Sequence, residues 1–205
     1  SRATLGASGL NWVSKVTYGY DAGNFDGAGQ NISAVGHDGT NYGSGLVAGR
    51  GNLTSETRWN VESGKESNSA YAIGSSAKYN TAGAVVSQTT PWDGTSTRTV
   101  TIDYTDSFNS GGIAATYAYP TKITDPRGAV TDITYNVLGS TTQIAYTPVS
   151  GLPDTPTVTF GYDDLGNRVS MDTAGVSEVA YAYDPLSRMT SETVNFDDLA
   201  NNLTI

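Results

Sequence analysis

Tyr162-Asp163-Asp164-Leu165-Gly166-Asn167-Arg168-Val169 and Tyr183-Asp184-Pro185-Leu186-Ser187-Arg188-Met189-Thr190 are two statements of one pattern. Before each, apolar residues alternate with small or polar ones and end on tyrosine: Val158, Phe160, Tyr162, and Val179, Tyr181, Tyr183. A two-residue period in β-branched and aromatic side chains marks a half-buried strand. An aspartate follows at once, and Asp or Asn bonds its own backbone two residues on and starts a turn. Four positions after the tyrosine stands Gly166 or Ser187, where a tight hairpin turn needs positive φ, which glycine adopts without strain. A second short strand then begins, Val169-Ser170-Met171 or Met189-Thr190-Ser191. Strand, Asx-rich turn, strand is a β-hairpin.

The pattern recurs outward from these two copies. Val16-Tyr18-Tyr20, Val100-Ile102-Tyr104, Ile133-Tyr135 and Ala77-Tyr79 give further strands ending on tyrosine. Asp21, Asn80 and Asn136 follow their tyrosines, and Gly83 and Gly139 stand four places on. The second strands are Val85-Val86-Ser87 and Thr141-Thr142-Gln143. The repeat anchors are therefore Tyr20, Tyr79, Tyr104, Tyr135, Tyr162 and Tyr183, with Gly83, Gly139 and Gly166 as turn glycines. From Tyr79 onward the anchors are spaced by 25, 31, 27 and 21 residues. The shortest spacing fits two strands of five or six residues and two turns. The longer ones need insertions, such as Phe108-Asn109-Ser110-Gly111-Gly112 and Pro148 to Pro153. Residues 71–205 are regular. Residues 1–70 are less so: half of the 24 glycines lie in 1–51, although Asp21-Ala22-Gly23-Asn24-Phe25 keeps the turn and Gly51 to Thr57 parallels Ser187 to Thr193. No break divides the chain, so 1–205 reads as one array. It opens without an initiating methionine and closes on Leu203-Thr204-Ile205, the start of a strand, which is expected of an internal segment of a longer protein.

Composition agrees. The 205 residues hold 37 % apolar residues, 13 Tyr and 24 Gly, which favours strands and tight turns over helices. The net charge is −9, and Asp supplies 15 of the 20 acids, placing much of the charge in turns. An acidic chain without a Lys/Arg cluster repels phosphate backbones, which argues against nucleic acid and anionic membranes as partners. No run is long enough to span a bilayer as a helix. The absence of Cys removes disulfides and thiolate metal sites.

Little in the sequence points to catalysis or to a cofactor. The one histidine, His37, lies in the loop-like Gly36-His37-Asp38-Gly39, and no Gly-x-Ser-x-Gly elbow accompanies it. Zinc lacks ligands. Asp163-Asp164 and Asp197-Asp198 are paired acids, but a glycosidase needs two about 5–9.5 Å apart across a cleft, and neighbours in a turn point apart. Asp-rich turns offer oxygen to calcium, yet EF-hand spacing is absent. Gly43-Ser44-Gly45 and Gly49-Arg50-Gly51 lack the Gly-Lys-Ser/Thr of a phosphate loop. Of Trp12, Trp59 and Trp92, Trp92 in Pro91-Trp92-Asp93-Gly94 is the candidate for stacking on a ligand, because it reads as a turn. Asn31-Ile32-Ser33, Asn52-Leu53-Thr54 and Asn202-Leu203-Thr204 fit the glycan acceptor pattern.

The Tyr162 and Tyr183 segments resemble the YD repeat of RHS proteins: Tyr-Asp, two variable residues, Gly, Arg or Asn, then an apolar residue. Asp125-Pro126-Arg127-Gly128-Ala129-Val130-Thr131 resembles the stretch that precedes the next tyrosine strand in that family. The resemblance covers 71–205 strongly and 10–60 fairly. It departs at Ser187, at Asn80 and Asn136, and at Arg168, where an apolar residue is expected. It implies an all-β fold of antiparallel hairpin repeats, stacked as a spiralling sheet, shell or tube. It also implies a place in bacterial polymorphic-toxin shells, insecticidal toxin complexes or teneurin-like adhesion shells. Physics favours stacking independently, because a lone hairpin is marginal in water and neighbours must share its apolar face.

The expected function is non-enzymatic: wall of an extracellular shell, tube or filament, in a secreted or cell-surface bacterial protein. Its partners would be further repeats of the same chain or identical subunits, joined head to tail through an open strand edge. An adhesion module binding glycans or surface proteins through Trp92 is the alternative, and the wall of a toxin-enclosing cocoon with its cargo outside this chain is the third reading.

Overall fold

The computed structural model describes residues 2–6, 9–22, 32–62, 64–93, 96–106, 116–197 and 203–204. Gly23 to Phe25, Asn31, Gly94, Phe108 to Gly112, Asp198, Asn202 and Ile205, all named in the sequence reading, lie outside them. The chain divides into two compact units, Ser1–Ile102 and Asp103–Ile205.

Unit 1 is an antiparallel meander of β1 (Arg2–Gly6), β2 (Gly9–Tyr20), β3 (Leu53–Trp59), β4 (Ala72–Tyr79), β5 (Val85–Pro91) and β6 (Thr97–Asp103), each paired with the next. One 3-10 turn, Ser69–Tyr71, interrupts it, started by the Asn68 side chain, which accepts from the Ala70 amide at 3.0 Å. Unit 2 repeats the plan with β7 (Lys122–Thr124), β8 (Val130–Tyr135), β9 (Thr141–Thr147), β10 (Val158–Tyr162), β11 (Arg168–Thr173), β12 (Ser177–Tyr183), β13 (Met189–Phe196) and β14 (Leu203–Thr204). The fold is all-β, built of antiparallel hairpins.

The register explains how so polar a sequence holds a sheet. Ile133 faces Ile144, Ile144 faces Val158, Phe160 faces Met171, Met171 faces Val179 and Val179 faces Val194. Directly opposed residues share a face, so these side chains form one apolar stripe across β8 to β13. Along β12 the alternation is plain: Ser177 and Val179 are buried, whereas Glu178, Ala180 and Ala182 are exposed. Val179, 5 % exposed, is the one buried hydrophobic residue among those described, and the rest of the stripe is half-buried. Each strand is shielded mainly by its sheet neighbours, as expected where stability is a sum over adjacent repeats.

Candidate functional site

Five turns share one geometry, and each begins at an Asx residue: Asn80, Asp125, Asn136, Asp163 and Asp184. The Asx amide donates to the carbonyl four residues on at 2.8–3.0 Å, and the amide three residues on donates back to the Asx carbonyl at 2.9–3.0 Å. The Asx Oδ1 accepts the amides two and four residues on, at 2.8–3.1 Å. The residue at the fourth turn position takes positive φ: 87° at Gly83, 93° at Gly128, 81° at Gly139, 83° at Gly166 and 59° at Ser187. Ser187 is the non-glycine exception, and its hydroxyl accepts a bond from Asn167 Nδ2 of the neighbouring turn at 3.2 Å.

Each of four tyrosines precedes such a turn, and a register shift falls at Tyr79, Tyr135, Tyr162 and Tyr183. A bulge re-aims the side chain it carries. All four hydroxyls donate to backbone carbonyls of an earlier segment: Tyr79 to Leu53 at 2.9 Å, Tyr135 to Pro120 at 2.9 Å, Tyr162 to Thr141 at 2.8 Å and Tyr183 to Arg168 at 2.9 Å. Three acceptors follow a rule. Leu53 is the ladder partner of Tyr20, Thr141 of Tyr135 and Arg168 of Tyr162. Each of these tyrosines therefore ties its hairpin to the bulge of the hairpin before it.

The other anchors sit differently. Tyr20 also lies at a bulge but is 58 % exposed. Tyr104 follows the end of β6 and is half-buried, and burial raises its phenol pKa. Burial first, then the neighbouring Tyr119 and Tyr104, raises that of Tyr135, whose ring lies 5.1 Å from Tyr119. Arg168, out of place for the repeat, lays its guanidinium 4.9 Å from the Tyr181 ring and 5.8 Å from Phe160, so its stem and plane cover the apolar face.

Asp21 is engaged across the β2–β3 connection, its amide donating to the Asn52 carbonyl at 2.9 Å. Its own φ is 63°, and its carboxylate accepts the amides of Gly49, Arg50, Gly51 and Asn52 at 2.9–3.1 Å. Desolvation opposes its ionisation, but these amides together hold the carboxyl below its ordinary range. Arg50 completes the lock by donating to the carbonyls of Leu46, Gly43, Tyr42 and Thr81. The long β2–β3 connection is thereby seated on the Asn80 turn, and Asn80 and Thr81 are each 1 % exposed. Nothing local in the sequence announces this lock, since Asp21 and Arg50 are joined only by the fold.

The candidate chemical groups are engaged elsewhere. Asp163 gives both oxygens to its turn, Oδ2 accepting Asn167 Nδ2 at 2.9 Å, and that bond first among several lowers its pKa. Asp38, beside His37, accepts Asn41 Nδ2 and the Thr40 and Asn41 amides. A groove of about 380 Å³ in unit 2 is lined by Asp103, Asp106, Lys122, Asp132 and Tyr135. There Asp103 accepts the Thr105 amide at 2.7 Å, Asp106 the Thr116 and Tyr117 amides at 3.0 and 2.7 Å, and Asp132 lies 3.6 Å from Lys122. Among the described residues no cluster of three or more acidic or histidine side chains is placed to hold a metal ion. No helix among them is long and apolar enough to cross a membrane. Trp12 and Trp59 flank the Lys15 ammonium, at 5.9 and 4.8 Å. Trp92 is 59 % exposed, with the Arg98 guanidinium over its ring. In the sequon at Asn52, the amide nitrogen is buried and Thr54 is 4 % exposed, so this acceptor is closed to a glycan in the folded chain.

No family model matches the chain, and no curated protein matches its sequence. Solved structures that match part of the chain include the TcdB2–TccC3 complex without its hypervariable C-terminal region, at 12 % identity and TM-score 0.47. The TcdB2–TccC3–Cdc42 structure matches at 13 % and 0.44, and a TccC3 variant of the Photorhabdus luminescens Tc holotoxin pore at 14 % and 0.40. Each match covers 70 % of this chain and 8 % of the other, so the chain spans a small part of those proteins' length.

Proposed function

We propose that this chain is a non-enzymatic structural segment, wall of an extracellular bacterial shell, tube or filament, that grows by adding hairpins to the edges of its sheet. The observation that carries the reading is the tyrosine tie: Tyr79, Tyr162 and Tyr183 each bond the ladder partner of the preceding anchor tyrosine. Contacts of this kind run only between neighbours, so the plan extends without a closing element. The outermost strands present backbone groups for pairing with further repeats or another copy. Electron microscopy and light scattering of the purified chain over a wide concentration range test it. Extended or curved sheet-like particles larger than one copy are expected. Discrete single copies at every concentration overturn self-assembly through the edges.

Trp92 favours a second reading, adhesion to a glycan or surface protein, because it is the most exposed aromatic among the described residues. A glycan array probed with the chain and its Trp92→Ala variant decides it. Binding lost in the variant supports adhesion, and no binding by either leaves the structural role.

A further inference from the structure

All four tyrosine ties obey one register rule. When the ladder between an anchor strand and the strand before it is carried on to the tyrosine, the acceptor is the residue just after the one set opposite. The β3–β4 ladder sets Asn52 opposite Tyr79, and Leu53 accepts. The β7–β8 ladder sets Tyr119 opposite Tyr135, and Pro120 accepts. The β9–β10 ladder sets Ser140 opposite Tyr162, and Thr141 accepts. The β11–β12 ladder sets Asn167 opposite Tyr183, and Arg168 accepts. The offset is constant because the same bulge carries each tyrosine and aims its ring the same way.

The series leaves one acceptor and one donor over. Met189 is the ladder partner of Tyr183, as Leu53 is of Tyr20, so its carbonyl is the next acceptor in line. No described tyrosine reaches it: β14 pairs only with Thr193 and Val194, and Met189 is 57 % exposed. Tyr20 carries the same bulge, yet its hydroxyl has no partner among the described residues, and β1 pairs with β2 no further than Ser14. The strands that bear these two groups also match. Thr190-Ser191-Glu192-Thr193 repeats Thr54-Ser55-Glu56-Thr57 letter for letter. In β3 that run is covered by β4, where Ser55 faces Ser76, three residues before the tying Tyr79. Three residues before Tyr20 stands another hydroxyl, Thr17.

We propose that the β2 strand of a second copy adds to the open half of β13, its Tyr20 hydroxyl donating to the Met189 carbonyl. An extended strand joining an exposed edge gains main-chain hydrogen bonds, and the tyrosine tie fixes which residues meet. The register rule sets Tyr18 of one copy opposite Thr190 of the other, Thr17 opposite Ser191, and Val16 opposite Glu192. No acid meets an acid across the junction, and Thr17 with Ser191 repeats the hydroxyl pair of Ser55 with Ser76. The contact is head to tail, so each added copy presents the same donor and acceptor again and the series does not close on itself. The inference rests on the wall reading and deepens it by fixing the register of growth. Only Met189 to Glu192 are open on β13, so the contact is weak and assembly rises with concentration.

The chain has no cysteine, so engineered ones report the junction cleanly. Directly opposed residues of an antiparallel pair bring their Cβ atoms within about 4.5–5.5 Å, close enough for a disulfide after small adjustment. Full-length Tyr18→Cys chains are mixed with Thr190→Cys chains under mild oxidation, and circular dichroism checks that each keeps its strand content. Their mixed disulfide should exceed by at least about fivefold that of Val13→Cys with Thr190→Cys, because Val13 lies five residues out of register. Adding Tyr20→Phe to the Tyr18→Cys chain should lower the yield about fivefold, the factor that one neutral hydrogen bond is worth. Equal yields in and out of register, or a yield indifferent to Tyr20→Phe, overturn the proposal. A Thr190→Cys thiol shielded from a small thiol reagent in chains that stay single overturns it too, by showing the chain's own strand on that edge. Electron microscopy of the parent chain separates the two readings. End-to-end particles without the Tyr18→Cys to Thr190→Cys cross-link refute this register alone, and a Tyr20-dependent cross-link in particles that stop at two copies refutes the wall alone.

Discussion

Replacing Tyr162 with phenylalanine removes one oxygen and leaves the ring in place. The lost group donates to the Thr141 carbonyl at 2.8 Å in a partly buried setting. A neutral hydrogen bond of this kind contributes about 1 kcal/mol net, and the stranded carbonyl keeps part of that cost from being recovered by water. For a folding unit of roughly 100 residues, 1 kcal/mol moves the melting midpoint by about 4–8 °C. Tyr162→Phe should therefore lower the stability of unit 2 by about 1 kcal/mol, read by urea titration and by thermal melting followed at the strand band. Tyr183→Phe, which breaks an exposed bond to Arg168 at 2.9 Å, should cost less, about 0.5 kcal/mol, because water can replace part of it. Tyr20→Phe is the control: at 58 % exposure it should stay within about 0.5 kcal/mol of the parent. If Tyr162→Phe proves as silent as Tyr20→Phe, the ties contribute nothing and the neighbour-to-neighbour account fails.

Acid should loosen the aspartate turns and spare the asparagine ones. The Asn167 side chain, and then backbone amides, lower the pKa of Asp163, while the Arg188 amide, and then its side chain, lower that of Asp184. A lowered folded-state pKa means stability present at neutral pH and lost as pH falls from about 4 through the folded value. Asp163→Asn with Asp184→Asn keeps the Oδ1 acceptor and should flatten the loss between pH 7 and pH 3 in denaturant titrations. Gly166→Ala, at φ +83° with open space around the new methyl, should cost about 1 kcal/mol of backbone strain. Gly139→Ala carries similar strain and also meets Tyr119 Oη at 2.7 Å, so its loss, read by the same titrations, should exceed that of Gly166→Ala by about 1 kcal/mol or more. Arg50→Ala should free the β2–β3 connection from Thr81, raising protease cleavage within residues 32–52 while the strand signal persists.

Much of the fold was legible because the turn is a local device. Tyr-Asx-x-x-Gly encodes in five consecutive residues the bulge, the side-chain acceptor and the positive φ, and period-two alternation on either side supplies the strands. The Asp125 turn shows that tyrosine is not part of the turn itself: Thr124 precedes it, and the hydrogen-bond pattern is the same. What stayed hidden is long-range. The carbonyls that accept Tyr79, Tyr162 and Tyr183 lie 26, 21 and 15 residues away and belong to backbone, which carries no sequence signature. The Asp21–Arg50 lock is hidden for a related reason, since four amides and four carbonyls of ordinary residues do the binding. Arg168 reads as a departure from the repeat in sequence, yet its plane lies by Tyr181 and its carbonyl serves Tyr183, so the position tolerates charge at the tip.

The most direct test of the tied-hairpin account is nuclear magnetic resonance of the tyrosine hydroxyl protons in the selectively labelled chain at low temperature. Slowly exchanging hydroxyl signals are expected for Tyr79, Tyr135, Tyr162 and Tyr183, with close contacts to Leu53, Pro120, Thr141 and Arg168 respectively. Hydroxyls that all exchange as fast as solvent-exposed phenol, with no contact to those residues, would contradict it.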